Sequence, residues 1–282
     1  MSALPNFGYH VARAHGRAKR ALYAASLPRI ARRRIAPPRD LPFEVYAYSG
    51  EAMLPEQVAS IRSFLLFAGR PQKFTVVSDG THPRSSVALL RSLDPSVAVS
   101  EVADWLPTDA PERFRTYVAE HPTGKQLGLI MSLPRNLPAL YVDSDVLFFR
   151  GAGDAAAFRF DGDAPAHYLA DCQLSADERL LRTPAEGEQP VNTGVLFMRR
   201  TLDWSLAIRR FLELEEAPTF FTNQTMTHLA MHANGAQPLD PRRFVLQLDD
   251  QFIYRDRYAR PQLALRHYVN PVRHKFWTSL RA

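Results

Sequence analysis

The sequence predicts an α/β protein, a doubly wound sheet with helices packed on its faces. Three observations carry this. Between residues 41 and 102 the patterns run strand, helix, strand, helix, strand, which is how such a sheet begins. The stretch Leu140-Tyr-Val-Asp-Ser-Asp-Val-Leu-Phe-Phe149 holds two apolar, β-prone runs, as expected of a strand buried on both faces. Asp143 and Asp145 sit between those runs, where the carboxyl end of a strand in an open α/β sheet meets its ligand.

The chain has 282 residues, 46% hydrophobic and 23% charged, which suits one large globular domain or two small ones. No run of about 18 apolar residues occurs, so no membrane span is expected. The start carries no apolar signal-peptide core. The lone Cys172, expected to be buried, suits a reducing compartment, so a cytoplasmic protein is expected. The net charge of +6 is uneven. Residues 1–40 hold nine Arg and Lys against Asp40 alone, so they carry +8 and residues 41–282 carry −2. Residues 1–40 therefore read as a basic N-terminal arm and linker, ahead of a folded domain over 41–282. Such an arm suits an anionic neighbour, and peripheral contact with an anionic membrane is the expectation. No nucleic-acid recognition motif accompanies the charge, so nucleic acid is not expected as a partner.

Residues 8–35 look helical, with interruptions at Gly16 and Pro28 and with Leu22, Tyr23 and Ile30 among the apolar positions. An interfacial membrane helix and an unstructured basic leader both fit this pattern. Ala36-Pro-Pro-Arg-Asp40 reads as a linker. Glu44 to Ser49 is the first strand, and Val58, Ile61, Phe64 and Leu65 have helical spacing. Phe74 to Gly80 is a second strand with its turn, 83–93 a helix and 97–102 a third strand. No Gly-x-Gly-x-x-Gly follows the first strand, which removes the main support for a dinucleotide fold. Residues 104–122 read as a loop, 124–133 as a helix and 166–171 as a strand with Asp171 at its end. Residues 173–190 are polar and irregular. Asn192-Thr-Gly194 reads as a tight turn entering a buried strand. Residues 203–215 read as a helix. Thr222 or Asn223 can cap a further helix, placing Gln224 in its first turn.

Two carboxylates at a strand end cost about several kcal/mol each to bury unless something compensates them. A divalent cation would offset their repulsion and present positive charge to a diphosphate. The plain alternative is an Asp-Ser-Asp turn, since these side chains bond their own backbone. Four large apolar residues follow, however, and a surface turn does not need them. Only four lysines occur against 31 arginines, so a retained lysine hints at a compact point charge. Lys125 lies 18 residues before Asp143, one helix and one strand away. Near the end, His267, Arg273, His274 and Lys275 stand among aromatic residues, an anion-facing segment.

Together these pieces resemble the GT-A fold of nucleotide-diphospho-sugar transferases, a Rossmann-like α/β fold with a mixed central sheet flanked by helices. They are most similar to the retaining, family-8-type glycosyltransferases, such as glycogenin and bacterial lipopolysaccharide galactosyl- and glucosyltransferases. The match covers roughly residues 43–277. Leu140 to Leu147 resembles the family's Asp-x-Asp strand, and Asn192-Thr-Gly-Val-Leu its Asn-x-Gly-Val sugar-site turn. Asn223-Gln224 resembles its Asp-Gln pair, and His267 to Trp277 its His-x-x-Gly-x-x-Lys-Pro-Trp segment.

The resemblance implies that Asp143, Asp145 and His267 hold Mn²⁺ or Mg²⁺; oxygen ligands with one imidazole suit Mn²⁺ better. It implies that Lys275, with Lys125, neutralises the leaving diphosphate, with Arg273 as the alternative to Lys275. Asn192, Gln224 and Asp171 would hold the sugar hydroxyls, and Ala47, Tyr48 and Ser49 would meet base and ribose. The implied reaction moves a hexose from a nucleotide-sugar donor to a glycan, lipid-linked or other hydroxyl acceptor. Retention is implied, with Gln224 near the anomeric centre.

Departures from the family pattern are visible. The interval from His267 to Lys275 is longer, Asn270 or Pro271 replaces the glycine, Phe276 replaces the proline and Asn223 replaces an acid. They leave open a GT-A domain that binds nucleotide or glycan only as a scaffold. The Asp-x-Asp strand also resembles the nucleophile strand of haloacid-dehalogenase phosphatases, with Asp249-Asp250 as the late acidic pair. That family needs a lysine between the two motifs, and none occurs between 146 and 248.

Overall fold

The central strand forms where the sequence is most apolar. β4 (Ala139–Val142) is buried along its whole length and ends at Val142, so Asp143 opens the loop beyond it. The computed structural model describes residues 6–154, 157–159 and 162–280. The other strands of the main sheet are β1 (Asp40–Ser49), β2 (Arg70–Ser78), β3 (Val97–Glu101), β6 (Ala166–Ala170), β7 (Val191–Met198) and β8 (Gln237–Pro238). The sheet has seven strands in the order β3-β2-β1-β4-β7-β6-β8. Pairs β2–β3, β1–β2, β1–β4 and β6–β8 are parallel, whereas β7 runs antiparallel to β4 and β6. A second sheet of three strands comprises β5 (Val146–Phe148), β10 (Leu265–His267) and β9 (Phe244–Val245).

Side-chain alternation explains why β4 reads as an unbroken apolar run. Leu140 and Val142 face one core, with Val45 and Ala47 of β1 and with α3 (Leu54–Phe67) and α4 (Arg84–Arg91). Ala139 and Tyr141 face the other core, with Tyr46 and with α5 (Glu112–Glu120), α6 (Pro122–Met131), α7 (Ser205–Leu212) and α8 (Thr222–Ala233). Both faces are therefore covered, and neither tolerates a polar side chain until the strand has ended.

Five local expectations are corrected. Residues 104–122 include the helix α5, because Phe114, Tyr117 and Val118 at i, i+3 and i+4 bury one face. Asn192-Thr-Gly194 lies inside β7 rather than in a turn before it. There the register on β6 jumps from Tyr168↔Leu196 to Leu169↔Asn192, a bulge that leaves residues 193–195 unpaired on that side. Neither Thr222 nor Asn223 caps α8: the cap position is Phe221, and the Thr222 hydroxyl binds Asp177 at 2.6 Å. Cys172 is exposed, not buried.

The fifth concerns the basic segment. α1 (Phe7–Ala25) runs unbroken through Gly16, and only Ser26 separates it from α2 (Leu27–Ala31), which carries Pro28 in its first turn. A Cβ at Gly16 would lie 2.3 Å from the His274 carbonyl oxygen, so glycine permits the helix to dock there. Arg20 binds the buried Glu56 at 2.6 Å, and the rings of Tyr23 and Trp277 lie 5.0 Å apart. Residues 7–31 are thus helical and packed on the body rather than an unstructured leader. Among the described residues, no helix is long and apolar enough to cross a membrane.

Candidate metal and sugar-nucleotide site

Four elements converge beyond the end of β4. β4 delivers Asp143 and Asp145, β10 delivers His267, the bulge of β7 delivers Asn192, and the first turn of α8 delivers Gln224. One ligand atom each from Asp143, Asp145 and His267 lie within 4.8 Å of one another. His267 Nε2 is 3.0 Å from Asp145 Oδ1 and 3.6 Å from Asp143 Oδ2. Arg273 donates to Asp145 Oδ2 at 2.6 and 3.0 Å. Asp143 Oδ1 accepts from Tyr141 Oη at 2.8 Å and from Gln126 Nε2 at 2.9 Å.

The bulge sets the imidazole. The Gly194 N–H donates to Asn192 Oδ1 at 2.9 Å, and Asn192 Nδ2 donates to Asp171 Oδ2 at 3.0 Å, so the amide has one orientation. His267 Nδ1 lies 2.9 Å from that same Oδ1 and must donate to it. A neutral imidazole then aims its Nε2 lone pair at two carboxylates. That arrangement is repulsive unless a proton or a metal ion stands between them. Gly194 makes the room. A Cβ there would sit 2.1 Å from His267 Cε1 and 2.9 Å from Asp143 Oδ2. Three convergent donors of mixed oxygen and imidazole type, with the imidazole tautomer held from behind, fit a divalent cation.

The electrostatics agree. Burial opposes charge at all three groups. At Asp143 burial outweighs the attraction of His267, and with Asp145 alongside its carboxyl is raised above the ordinary range. At Asp145 burial is outweighed by His267 and Arg273, and its carboxyl is lowered. At His267 burial is outweighed by the two carboxylates, and its pKa is raised. Without a cation, these charges favour a proton on Nε2.

The sequence-predicted residues divide. Asp143, Asp145, His267, Arg273, Asn192, Asp171 and Gln224 are joined by hydrogen bonds or ion pairs, with Gln224 Nε2 3.3 Å from Asp171 Oδ2 and 3.0 Å from the Ser175 carbonyl. Ala47, Tyr48 and Ser49 end β1, the strand beside β4. Lys275 is not brought to the acidic pair. It is fully buried, donates to the carbonyls of Ile253 and Arg255 at 2.7 and 2.8 Å, and lies 3.5 Å from Asp250. Lys125 sits on α6 without an ion pair among the described residues, and its neighbour Gln126 makes the contact with Asp143. Asn223 reaches the site through Gln126, at 2.9 Å. Asp250 is buried against Arg266, and Asp249 pairs with Arg257 and Tyr258, so the late acidic pair that a dehalogenase-type phosphatase needs is engaged elsewhere. Gln126 and Tyr141 were not singled out from sequence, and Gly194 was read only as part of a turn. Tyr141 carried a signal, since two residues before Asp143 on a strand is the same face.

The fold is that of GT-A nucleotide-sugar glycosyltransferases. The galactosyltransferase LgtC, crystallised with donor and acceptor sugar analogs, is similar with a TM-score of 0.54 at 14% identity, over 85% of this chain and 96% of that one. Mouse xyloside xylosyltransferase 1 gives 0.51 at 14% identity, over 83% and 99%. The glycosyltransferase GlyE of Streptococcus pneumoniae TIGR4 gives 0.54 at 15% identity, over 86% and 61%. No protein-family model matches the chain, and no curated protein matches it by sequence. At these identities the likeness is one of fold.

Proposed function

We propose that this protein is a cation-dependent glycosyltransferase that moves a hexose from a nucleotide-diphosphate sugar to a hydroxyl of a glycan or lipid-linked acceptor. The observation that carries it is His267 Nε2, held with its lone pair toward Asp143 and Asp145 by the bulge that also bears Asn192. Asp143, Asp145 and His267 would hold Mn²⁺ or Mg²⁺, which when bound supplies positive charge for the leaving diphosphate. Arg273 is the protein's own cation at that edge. Its side chain is 42% exposed, so it can turn from Asp145 toward a phosphate. Lys125 is the second candidate for that role, by its position on α6. The Asn192–Asp171–Gln224 cluster presents amide and carboxylate groups to sugar hydroxyls. The end of β1, residues 47–49, would receive base and ribose.

Asp171 Oδ2 is already engaged by both amides, which suits positioning rather than nucleophilic attack. We therefore favour retention by front-face substitution, with Gln224 at the anomeric centre and the acceptor hydroxyl entering beside the departing phosphate. The exposed, unpaired Cys172 suits a cytoplasmic location. The test is turnover of a panel of nucleotide sugars with and without Mn²⁺. Asp145→Asn is expected to lower the Mn²⁺-dependent rate at least about a hundredfold, since even an outer-shell partner of a metal commonly costs 10–100-fold. Its circular dichroism should match that of the wild type. Undiminished turnover in that variant would overturn the metal role, and product NMR would read the anomeric configuration.

A further inference from the structure

A cavity of about 650 Å³ opens between α1, α2, α3, β5 and the C-terminal helix α9 (Phe276–Ser279). It shares no residue with the acidic cluster. Its size lies within the range of about 300–1,000 Å³ typical of sites that bury a small ligand. The interior is apolar: Ala59, Leu147, Phe148, Phe149 and Trp277 line it, none more than 5% exposed. The mouth is cationic, formed by Lys19, Arg29, Arg33, Arg34 and Arg62. Among the described residues, none of these five has a carboxylate partner, and the nearby acid Glu56 is taken by Arg20. Arg62 is half-buried beside Tyr23 and Arg33, and among the described residues it bonds only the Arg33 carbonyl, at 2.8 Å. Desolvation works most strongly against its positive form, Tyr23 partly offsets this, and the charge of Arg33 adds to it.

The surface around the mouth continues the pattern. Leu22 and Leu66 line the cavity yet are 70% and 46% exposed. On α1, Phe7, Val11, Ala18 and Leu22 fall on one stripe at helical spacing, and all four face solvent. An exposed apolar stripe, basic side chains beside it and a fat-lined pocket behind it match the boundary between lipid headgroups and acyl chains. A soluble anion would use the arginines and leave the stripe unexplained.

We propose that this face binds an anionic bilayer, taking one acyl chain of an anionic phospholipid into the cavity with its phosphate against Arg29, Arg33 and Arg62. The inference stands apart from glycosyl transfer, so Asp145→Asn should bind vesicles as the wild type does. The test uses the full chain with phosphatidylcholine vesicles that contain or lack phosphatidylglycerol. Sedimentation is expected only with the anionic vesicles. Phosphatidylglycerol brominated on its acyl chain should quench tryptophan emission, and Trp277→Phe should abolish that quenching. The triple change Arg29→Gln, Arg33→Gln, Arg62→Gln should weaken binding at least about tenfold. Leu22→Gln, at an exposed position, should weaken it without changing the melting temperature.

Four results would overturn the proposal. The first is no sedimentation with anionic vesicles. The second is sedimentation without Trp277-dependent quenching, which means attachment by surface charge only. The third is quenching by a dissolved brominated fatty acid but not by vesicles, which means a free amphiphile. A dimer in solution that hides Leu22 and excludes vesicles would overturn it equally.

Discussion

Arg266 and His267 are neighbours on β10, yet they serve two acidic clusters of opposite design. Alternation along the strand sends their side chains to opposite faces. On one face Asp250 accepts from both nitrogens of the Arg266 fork, at 2.7 and 3.0 Å, and Asp256 pairs with the same guanidinium. Lys275 stands 3.5 Å from Asp250, and the rings of Tyr258 and Tyr268 lie 4.9 and 5.0 Å from the Arg266 guanidinium. Two acids meet two bases, all buried, and the cluster is closed. On the other face Asp143 and Asp145 meet one half-exposed guanidinium, Arg273, and one imidazole. With His267 neutral, that cluster is left with one net negative charge. Counting acids does not separate the two. What separates them is whether the chain itself supplies the cations: a buried acid paired from within is structure, and one left short must recruit a proton or a metal.

The largest effect that would break this contrast is on stability. Asp250→Asn leaves Arg266 and Lys275 buried with too little negative charge and is expected to cost about 3–5 kcal/mol. Asp145→Asn in cation-free buffer should cost well under half of that, because its partner Arg273 can turn to water. Urea denaturation of both variants measures this, and equal losses would mean the two clusters are alike. Next comes Asn192→Ala, which frees the imidazole from its backing amide. It should weaken Mn²⁺ binding roughly 10–100-fold by calorimetry, as loss of an outer-shell partner commonly does.

Proton competition at the open cluster is a smaller effect. Because the pKa of His267 is raised, a proton competes with the cation for Nε2. Mn²⁺ affinity should therefore rise with pH, by about tenfold per unit for each proton released, and flatten once the imidazole is neutral. The smallest effect lies at the edge of the closed cluster. Burial first, then the charges of Lys275 and Arg13, lower the His274 pKa to about 4. The unfolded chain binds that proton near pH 6.5 and the folded chain only near 4. Stability is thus fully present above 6.5 and is lost as the pH falls from there toward 4, by on the order of 1 kcal/mol after screening by solvent. His274→Gln should flatten that slope in melts taken between those values.

Much of this was legible in the sequence, and the rest fails in an orderly way. The strand ending at Val142, the two-sided core and the pairing of Asp143 with Asp145 follow from local apolar pattern and from the cost of burying a carboxylate. Helix α5 was hidden by the Pro- and charge-rich residues around it, although Phe114, Tyr117 and Val118 carried its period. The bulge at Asn192 read as a turn because the two share Asn and Gly, and only the partner strand distinguishes them. The burial expected of Cys172 had no neighbours in sequence to support it.

By itself, the chain's sequence determined the sheet, its apolar faces and the place where two acids would need company. The tertiary structure alone decided which groups keep that company. Arg273 and Lys275 stand two apart on the 3₁₀ turn Asn270–Lys275, a rotation of about 240°, so when one faces Asp145 the other turns away. Gln126, and not its neighbour Lys125, meets Asp143, because one residue on an α-helix is about 100° of rotation. Apolar period is written in neighbouring residues, whereas the pairing of charges depends on the phase at which distant elements pack, and that phase is settled only when the cores close.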